Sequence, residues 1–290
     1  MHSSHSRILC REISDADINN VADFLPRGFP RSTRQYWLKG LAHLTKHPTP
    51  AGAPKYGYVL ESDGRLAGII LLITTSIPTG NTSTTRCNIS SWFVEPAFRG
   101  YSQFLISRAI RRPDVTYLNV SPAKHTLRTI EAQGFSRYSA GQFVSLPTLR
   151  RPAEAANVAK VENDIDSSLP LSPFERELLL AHASYGCLSL YCKTAEGVFP
   201  FVFLPRIVKG ILPCFQLIYC RQLADYVRFA RSLGWHLALQ GRPLVIIDSN
   251  GPIAGLTGKY FEGAAPKYFK GPVRPRLGDL AYTEAAMFGI

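Results

Sequence analysis

The chain has 290 residues, of which 46% are hydrophobic and 19% charged, enough apolar material for one large core or two ordinary ones. Its 33 Lys and Arg against 21 Asp and Glu give a net charge of +12, which favours an anionic partner: nucleic acid, a membrane surface or a small polyphosphate ligand. No apolar run reaches the ~20 residues that span a bilayer, the N-terminal "MHSSHSRILCREISD" lacks the order of a secretion signal, and the six cysteines form no CxxC pair. A cytoplasmic protein with buried reduced thiols and no metal cluster is expected.

In chain order, "RILCREIS" (7–14) patterns as a strand, and Asp15 or Asp17 is placed to cap the helix entering "NNVADFL". Ser32 and Thr33 offer N-cap oxygens to a second helix, in which Trp37, Leu41 and Leu44 recur at helical spacing. After the Pro/Gly/Ala-rich "HPTPAGAPK" (47–55), the runs "YGYVL" and "LAGIILLIT" flank Asp63-Gly64, a hairpin signal. A further strand, "CNISSWFV" (87–94), leads into "VEPAFRGYSQFL" and a helix from about Tyr101 to Arg112, which Pro113 closes. "VTYLNV" (115–120) reads as the next strand. Ser121 can cap the helix after it, with Pro122 at its first position, Leu127 and Ile130 facing inward, and Gly134 as a left-handed terminus.

Residues 150–171, rich in Pro, Ala, Ser and charge, read as a linker between a first domain at 1–149 and a second at 172–290. In the second, hairpin, strand, helix and strand recur. A capped helix runs from Ser172 to about Ala183, followed by "CLSLYCK", "VFPFVFLPRIV", "FQLIYC" (215–220), an amphipathic helix carrying Leu223, Val227, Phe229 and Leu233, and "LVIID" (244–248). An order that occurs twice predicts two related halves. The tail at 259–284 interleaves basic and aromatic residues in what reads as a loop, a composition that serves sugars, acyl chains or single-stranded nucleic acid as well as plain packing. "DLAYTEAAMFGI" then reads as strand-like, with Asp279, Tyr282 and Glu284 as secondary candidates for an acceptor. Asp248 stands at a strand end, where clefts form in α/β sheets.

The turn "EPAFRGYS" follows a strand and opens a helix. The first helical N–H groups have no internal partner, the helix dipole places partial positive charge there, and Arg99 adds a full one, so the turn suits an anion such as a pyrophosphate.

The order of elements, with Val94, Pro96, Arg99 and Gly100 at the turn and Gly134-Phe135 after the next helix, resembles the GNAT acyltransferase superfamily over about residues 7–146. The resemblance implies a mixed α/β (α+β) fold with a central mixed sheet flanked by helices, followed by a second GNAT-like half that has lost its cofactor site. It implies acetyl-CoA or another acyl-CoA as co-substrate, with its pyrophosphate on Arg99, Gly100, Tyr101, Ser102 and Gln103. An N–H of Phe93 or Val94 stabilises the oxyanion, and the acyl group passes directly to an amine or hydroxyl of a small-molecule acceptor. No metal is implied, and the chain acts as a monomer or homodimer.

Departures from the family pattern are local. Ser102 and Phe104 stand where small residues are usual, and Phe104 narrows or closes the site unless the helix rotates it into the core. Ala123 and Ile130 occupy the positions of the customary Asn and Tyr. His125, near them, has an acid-base role open to it, or faces solvent. Strict alternation puts Asn88, Ser90 and Trp92 on one face of their strand and Ser91 and Phe93 on the other, so Asn88 or Ser90 can orient an amine or a water. Glu95 is the nearest carboxylate, either a base or a surface partner of Arg99. Two other readings stand beside the enzyme: a binding protein that kept the fold without the chemistry, and a nucleic-acid binder, against which the lack of a recognised motif counts.

Overall fold

The computed structural model describes residues 8–80, 82–150 and 156–289 and divides the chain into two units: Met1–Asn119 with Lys270–Val273, and Val120–Phe269 with Arg274–Ile290. The sequence-based boundary instead falls in the 150–171 stretch.

The first unit holds β1 (Ile8–Glu12), α1 (Ile18–Gly28), α2 (Arg34–Lys46), β2 (Gly57–Ser62), β3 (Arg65–Thr79), β4 (Thr82–Val94), α3 (Ser102–Ala109) and β5 (Val115–Asn119). Strand order is β1-β2-β3-β4-β5, antiparallel except for the parallel pair β4–β5, whose crossover contains α3. The β2–β3 hairpin turns on Asp63 and Gly64, with φ of 47° and 77°, the two positive angles of a two-residue type I′ turn. Thr33 caps α2 by accepting from the Tyr36 N–H at 3.2 Å, and Trp37, Leu41 and Leu44 are buried along one helix face. At the entry to α1, the Ser14 N–H and hydroxyl both donate to Asp17, at 2.8 and 2.7 Å, while Arg11 grips the same carboxylate with two nitrogens. Asp15 is used differently, accepting from the Tyr56 hydroxyl.

The second unit holds α4 (Leu127–Ala132), β6 (Ser136–Ser145), β7 (Asn157–Lys160), α5 (Pro173–Ser184), β8 (Leu188–Thr194), β9 (Gly197–Val208), β10 (Leu212–Cys220), α6 (Leu223–Ala238), β11 (Leu244–Ser249), β12 (Gly258–Lys270) and α7 (Glu284–Met287). Its order is β12-β6-β11-β10-β9-β8-β7. From β7 to β11 the pairings repeat those of β1 to β5: antiparallel neighbours, then a parallel pair, β10–β11, with a helix in the crossover. The fold is therefore mixed α+β, with mixed sheet and flanking helices. The aromatic-rich runs of β9 and β10 bury Phe201, Phe203 and Phe215 against Tyr226, Phe229 and Leu233 of α6.

Several elements differ from the sequence reading. The linker stretch contains β7, because Val158 lies on the aromatic core of the second unit; residues 151–155 lie outside the described residues. The basic-aromatic tail is not a loop at 258–270 but β12, which pairs with β6 through a bulge between Glu262 and Lys267. The last segment is not a strand: Asp279 makes an isolated bridge to Tyr219, and residues Glu284–Met287 are helical. Ser121 does not cap α4. Its hydroxyl donates to Glu284, a carboxylate only 2% exposed that requires a donor, and α4 begins six residues later. Gly134 does terminate α4, at φ 85°, with Phe135 N–H returning to the Ile130 carbonyl at 3.1 Å.

Candidate active site

The site begins with a fault in β4. Pairing with β3 is regular from Thr79↔Thr82 to Leu71↔Ser90, then resumes at Ile69↔Phe93, so β4 carries one extra residue. Ser91, at φ 50°, takes up the bulge. A bulge shifts the alternation of every side chain beyond it. Phe93, opposite Ile69, therefore shares the face of Ser90, opposite Leu71, and the strict alternation that grouped Trp92 with Asn88 and Ser90 is corrected. Phe93 packs on Phe24 and Phe29 at centroid distances of 5.5 and 6.4 Å. Gly28 of α1 lets it do so, since a Cβ there would lie 2.3 Å from the ring. Trp92 falls on the other face, and its indole N–H is buried with no acceptor among the described residues.

The second feature is a fork. β5 pairs with β4 only from Thr85↔Val115 to Asn88↔Leu118, while β4 runs on to Val94. Asn88 sits at the point of divergence, 1% exposed, and its amide donates to the carbonyls of Leu118 and Ile89, both at 3.2 Å. Ser90, equally buried, is 3.0 Å from the Ser91 hydroxyl. Both candidates thus lie together on β4, and Asn88 fastens the fork from which the two strands part.

Beyond the fork the chain enters the basic turn. The Glu95 N–H donates to Ala67 O at 2.9 Å, and its carboxylate pairs with Arg27 at 2.8 Å, so its partner is Arg27 and not Arg99. Residues Pro96–Tyr101 wind into 3-10 helix, with Phe98 N–H on Glu95 O and Ser102 N–H on Arg99 O. α3 accordingly starts at Ser102 and ends at Ala109, shorter at both ends than the 101–112 expectation. Arg99 and Gly100 are exposed. Arg99 has no ion pair among the described residues, and a Cβ at Gly100 would meet nothing within 4 Å. Tyr101 and Gln103 are exposed and Ser102 half-buried beside them. α3 buries Leu105, Ile106 and Ala109, which leaves Phe104 54% exposed on the other side; the rotation into the core does not occur. His125 belongs to the second unit, exposed in a 3-10 turn at Lys124–Thr126.

The corresponding place in the second unit is closed by the chain itself. β10 also has a register shift, between Leu217 and Tyr219. There the tail lies against it: Cys220 N–H donates to Gly278 O at 3.0 Å and Leu280 N–H to Ile218 O at 2.7 Å. At the start of α6 the Asp225 carboxylate accepts from the Gln222 N–H at 3.0 Å, putting negative charge where an anion would need positive. Among the described residues no cluster of His, Cys, Asp and Glu could hold a metal ion, no helix is long and apolar enough to cross a membrane, and all six cysteines are free thiols.

No protein-family model matches the chain, and no curated protein sequence does. Solved structures do. A GCN5-related N-acetyltransferase from Anabaena variabilis ATCC 29413 aligns with a TM-score of 0.57 at 12% identity, covering 91% of this chain and 72% of that one. A putative acetyltransferase from Pyrococcus horikoshii gives 0.55 at 13%, over 97% and 96%. Eis1 from Mycobacterium abscessus gives 0.50 at 11%, over 94% and 74%. Over nearly its whole length, the chain has the fold of the GCN5-related N-acetyltransferases.

Proposed function

We propose that the protein is an acyl-CoA-dependent acyltransferase, moving an acyl group from a CoA thioester to an amine or hydroxyl of a small-molecule acceptor. The observation that carries this reading is the bulged β4, which parts from β5 at Asn88 and delivers the chain to an exposed, uncompensated Arg99 and an open Gly100 at the start of α3, on this fold. Arg99 supplies charge to the pyrophosphate, Gly100 leaves room for its approach, and Tyr101, Ser102 and Gln103 stand at the positive end of the α3 dipole. In the transfer, the acceptor's nitrogen or oxygen attacks the thioester carbonyl, the C–S bond breaks, the acceptor's proton passes to a base and the CoA sulfur is protonated. Backbone N–H groups of Phe93 or Val94 face the developing oxyanion, and the Trp92 indole N–H is a donor for the acceptor or the acyl oxygen. Glu95 serves as base when an incoming amine displaces Arg27. Six free thiols accord with action in the reducing cytoplasm.

Two observations favour a second reading, binding of acyl-CoA without transfer. The turn is wound into 3-10 helix that engages the N–H groups of Phe98 and Ser102, and no acid stands at the Ile130 position. Thermal unfolding with acetyl-CoA and longer acyl-CoAs tests both. Stabilisation that disappears in Arg99→Ala supports the site, and absence of stabilisation by any acyl-CoA or by CoA removes both readings. Mass-spectrometric detection of an acylated amine separates enzyme from binder.

A further inference from the structure

The other end of α3 holds a second basic site. A small concavity of about 20 Å³, open to solvent, lies in the first unit between the C-terminal end of α3, the loop at 52–54, and the faces of β2, β3 and β5. Three arginines, Arg108, Arg111 and Arg112, and two tyrosines, Tyr58 and Tyr117, line it.

The donors in this pocket outnumber its acceptors. Arg112 is matched by Asp114, at 2.6 and 3.3 Å. Arg108 lies over the Tyr58 ring, 5.7 Å from its centroid, and neither it nor Arg111 has a carboxylate partner among the described residues. Tyr58 is 2% exposed, and its hydroxyl has no hydrogen-bond partner among the described residues. Tyr117, 3% exposed, accepts from the Arg112 backbone N–H at 3.1 Å, which leaves its own proton to donate. Burial, and next the Glu12 carboxylate, raise the pKa of Tyr58, and burial pushes that of Tyr117 up to about 12, so both stay protonated donors at neutral pH. Two guanidinium charges without a paired carboxylate and the hydroxyl donors of Tyr58 and Tyr117 match a doubly charged tetrahedral anion with three or more acceptor oxygens.

We infer that this pocket binds a phosphate group, as inorganic phosphate or as a phosphate monoester whose remainder lies in solvent. It is separate from the turn at Arg99: the nine residues from Arg99 to Arg108, through the end of the 3-10 helix and along α3, span roughly 15 Å. The inference does not depend on the acyltransferase reading.

Isothermal titration of the full chain with inorganic phosphate and with glycerol 3-phosphate, at constant ionic strength against chloride, tests it. Phosphate is expected to bind saturably, with affinity falling about tenfold or more in an Arg108→Gln/Arg111→Gln variant and unchanged in Arg99→Ala. Tyr58→Phe weakens it severalfold. Weaker binding of glycerol 3-phosphate than of phosphate assigns the free anion, and equal affinity for the two probes assigns a site that also takes the ester. The exposed positions of Arg108 and Arg111 let the variant fold, and Arg111→Lys, which keeps the charge and loses the planar fork, provides a second measurement expected to weaken binding. Binding that is no stronger than that of chloride, or unchanged in the double variant, or abolished by Arg99→Ala, overturns the assignment.

Discussion

His47 makes the stability of the first unit depend on acidity. It follows α2, is 2% exposed, and places Nε2 3.1 Å from Thr74 O and 2.9 Å from Thr75 Oγ1. Burial lowers its pKa from 6.5 to about 4, against the hydrogen bond to Thr74 and with the help of the Lys55 charge. The unfolded chain takes up this proton as pH falls through 6.5, and the folded chain refuses it until about 4. The resulting stability is present in full above 6.5, declines between 6.5 and about 4, and changes no further below that. A tenfold difference in proton affinity between the folded and unfolded chain is worth about 1.4 kcal/mol, so about 2 kcal/mol is lost on going from about pH 7 to about pH 4.5. His47→Gln keeps a donor without the titration. Urea unfolding of both proteins across this range isolates the effect, because other carboxylates and histidines contribute equally to each. The stability difference between wild type and variant should move by about 2 kcal/mol in favour of the variant as pH falls. A difference that stays constant to within about 0.5 kcal/mol refutes the assignment of a buried neutral imidazole.

Gly100→Ala should leave unfolding unchanged to within about 0.5 kcal/mol, since its φ is not left-handed and its Cβ meets nothing; acyl-CoA stabilisation should fall, and an unaltered thermal shift would contradict close backbone approach at the turn. Trp92→Phe removes a buried donor that has no acceptor among the described residues and should keep or raise stability by about 1 kcal/mol, while acyl transfer slows. A loss of stability larger than that would mean the indole N–H is satisfied within the fold. Gly141→Ala places a Cβ 2.3 Å from Phe261 O, on the backbone of the paired β12, and is expected to cost about 3 kcal/mol in chemical denaturation. A near-neutral result would show that β6 and β12 can separate at this point.

Local rules made much of the architecture legible. The Asp63-Gly64 hairpin, the Thr33 and Ser172 caps, the Gly134 terminus and the repeated order of strands and helices depend on residues within a few positions of one another. The same locality explains the misses. Ser121 looks like a cap because Pro122 follows it, but Glu284, 163 residues away, takes its hydroxyl. The tail reads as a loop because Gly and Pro interrupt it, but β6 supplies the partner that makes it β12. Glu95 has Arg99 close in sequence, yet Arg27 on α1 is the cation that reaches it.

The candidate site divides in the same way. Sequence alone determined that a strand ends in a basic, glycine-containing turn opening a helix, because strand propensity, Pro96 and the Arg99-Gly100 pair are local. Tertiary structure decided what that turn faces. The extra residue at Ser91 is invisible until β4 is laid against β3, and it is this register that exchanges Trp92 for Phe93 on the face shared with Asn88 and Ser90. Likewise, the orientation of Phe104 was fixed by which side of α3 the sheet could bury: Leu105, Ile106 and Ala109 took the apolar surface, leaving the phenyl ring in solvent beside the turn.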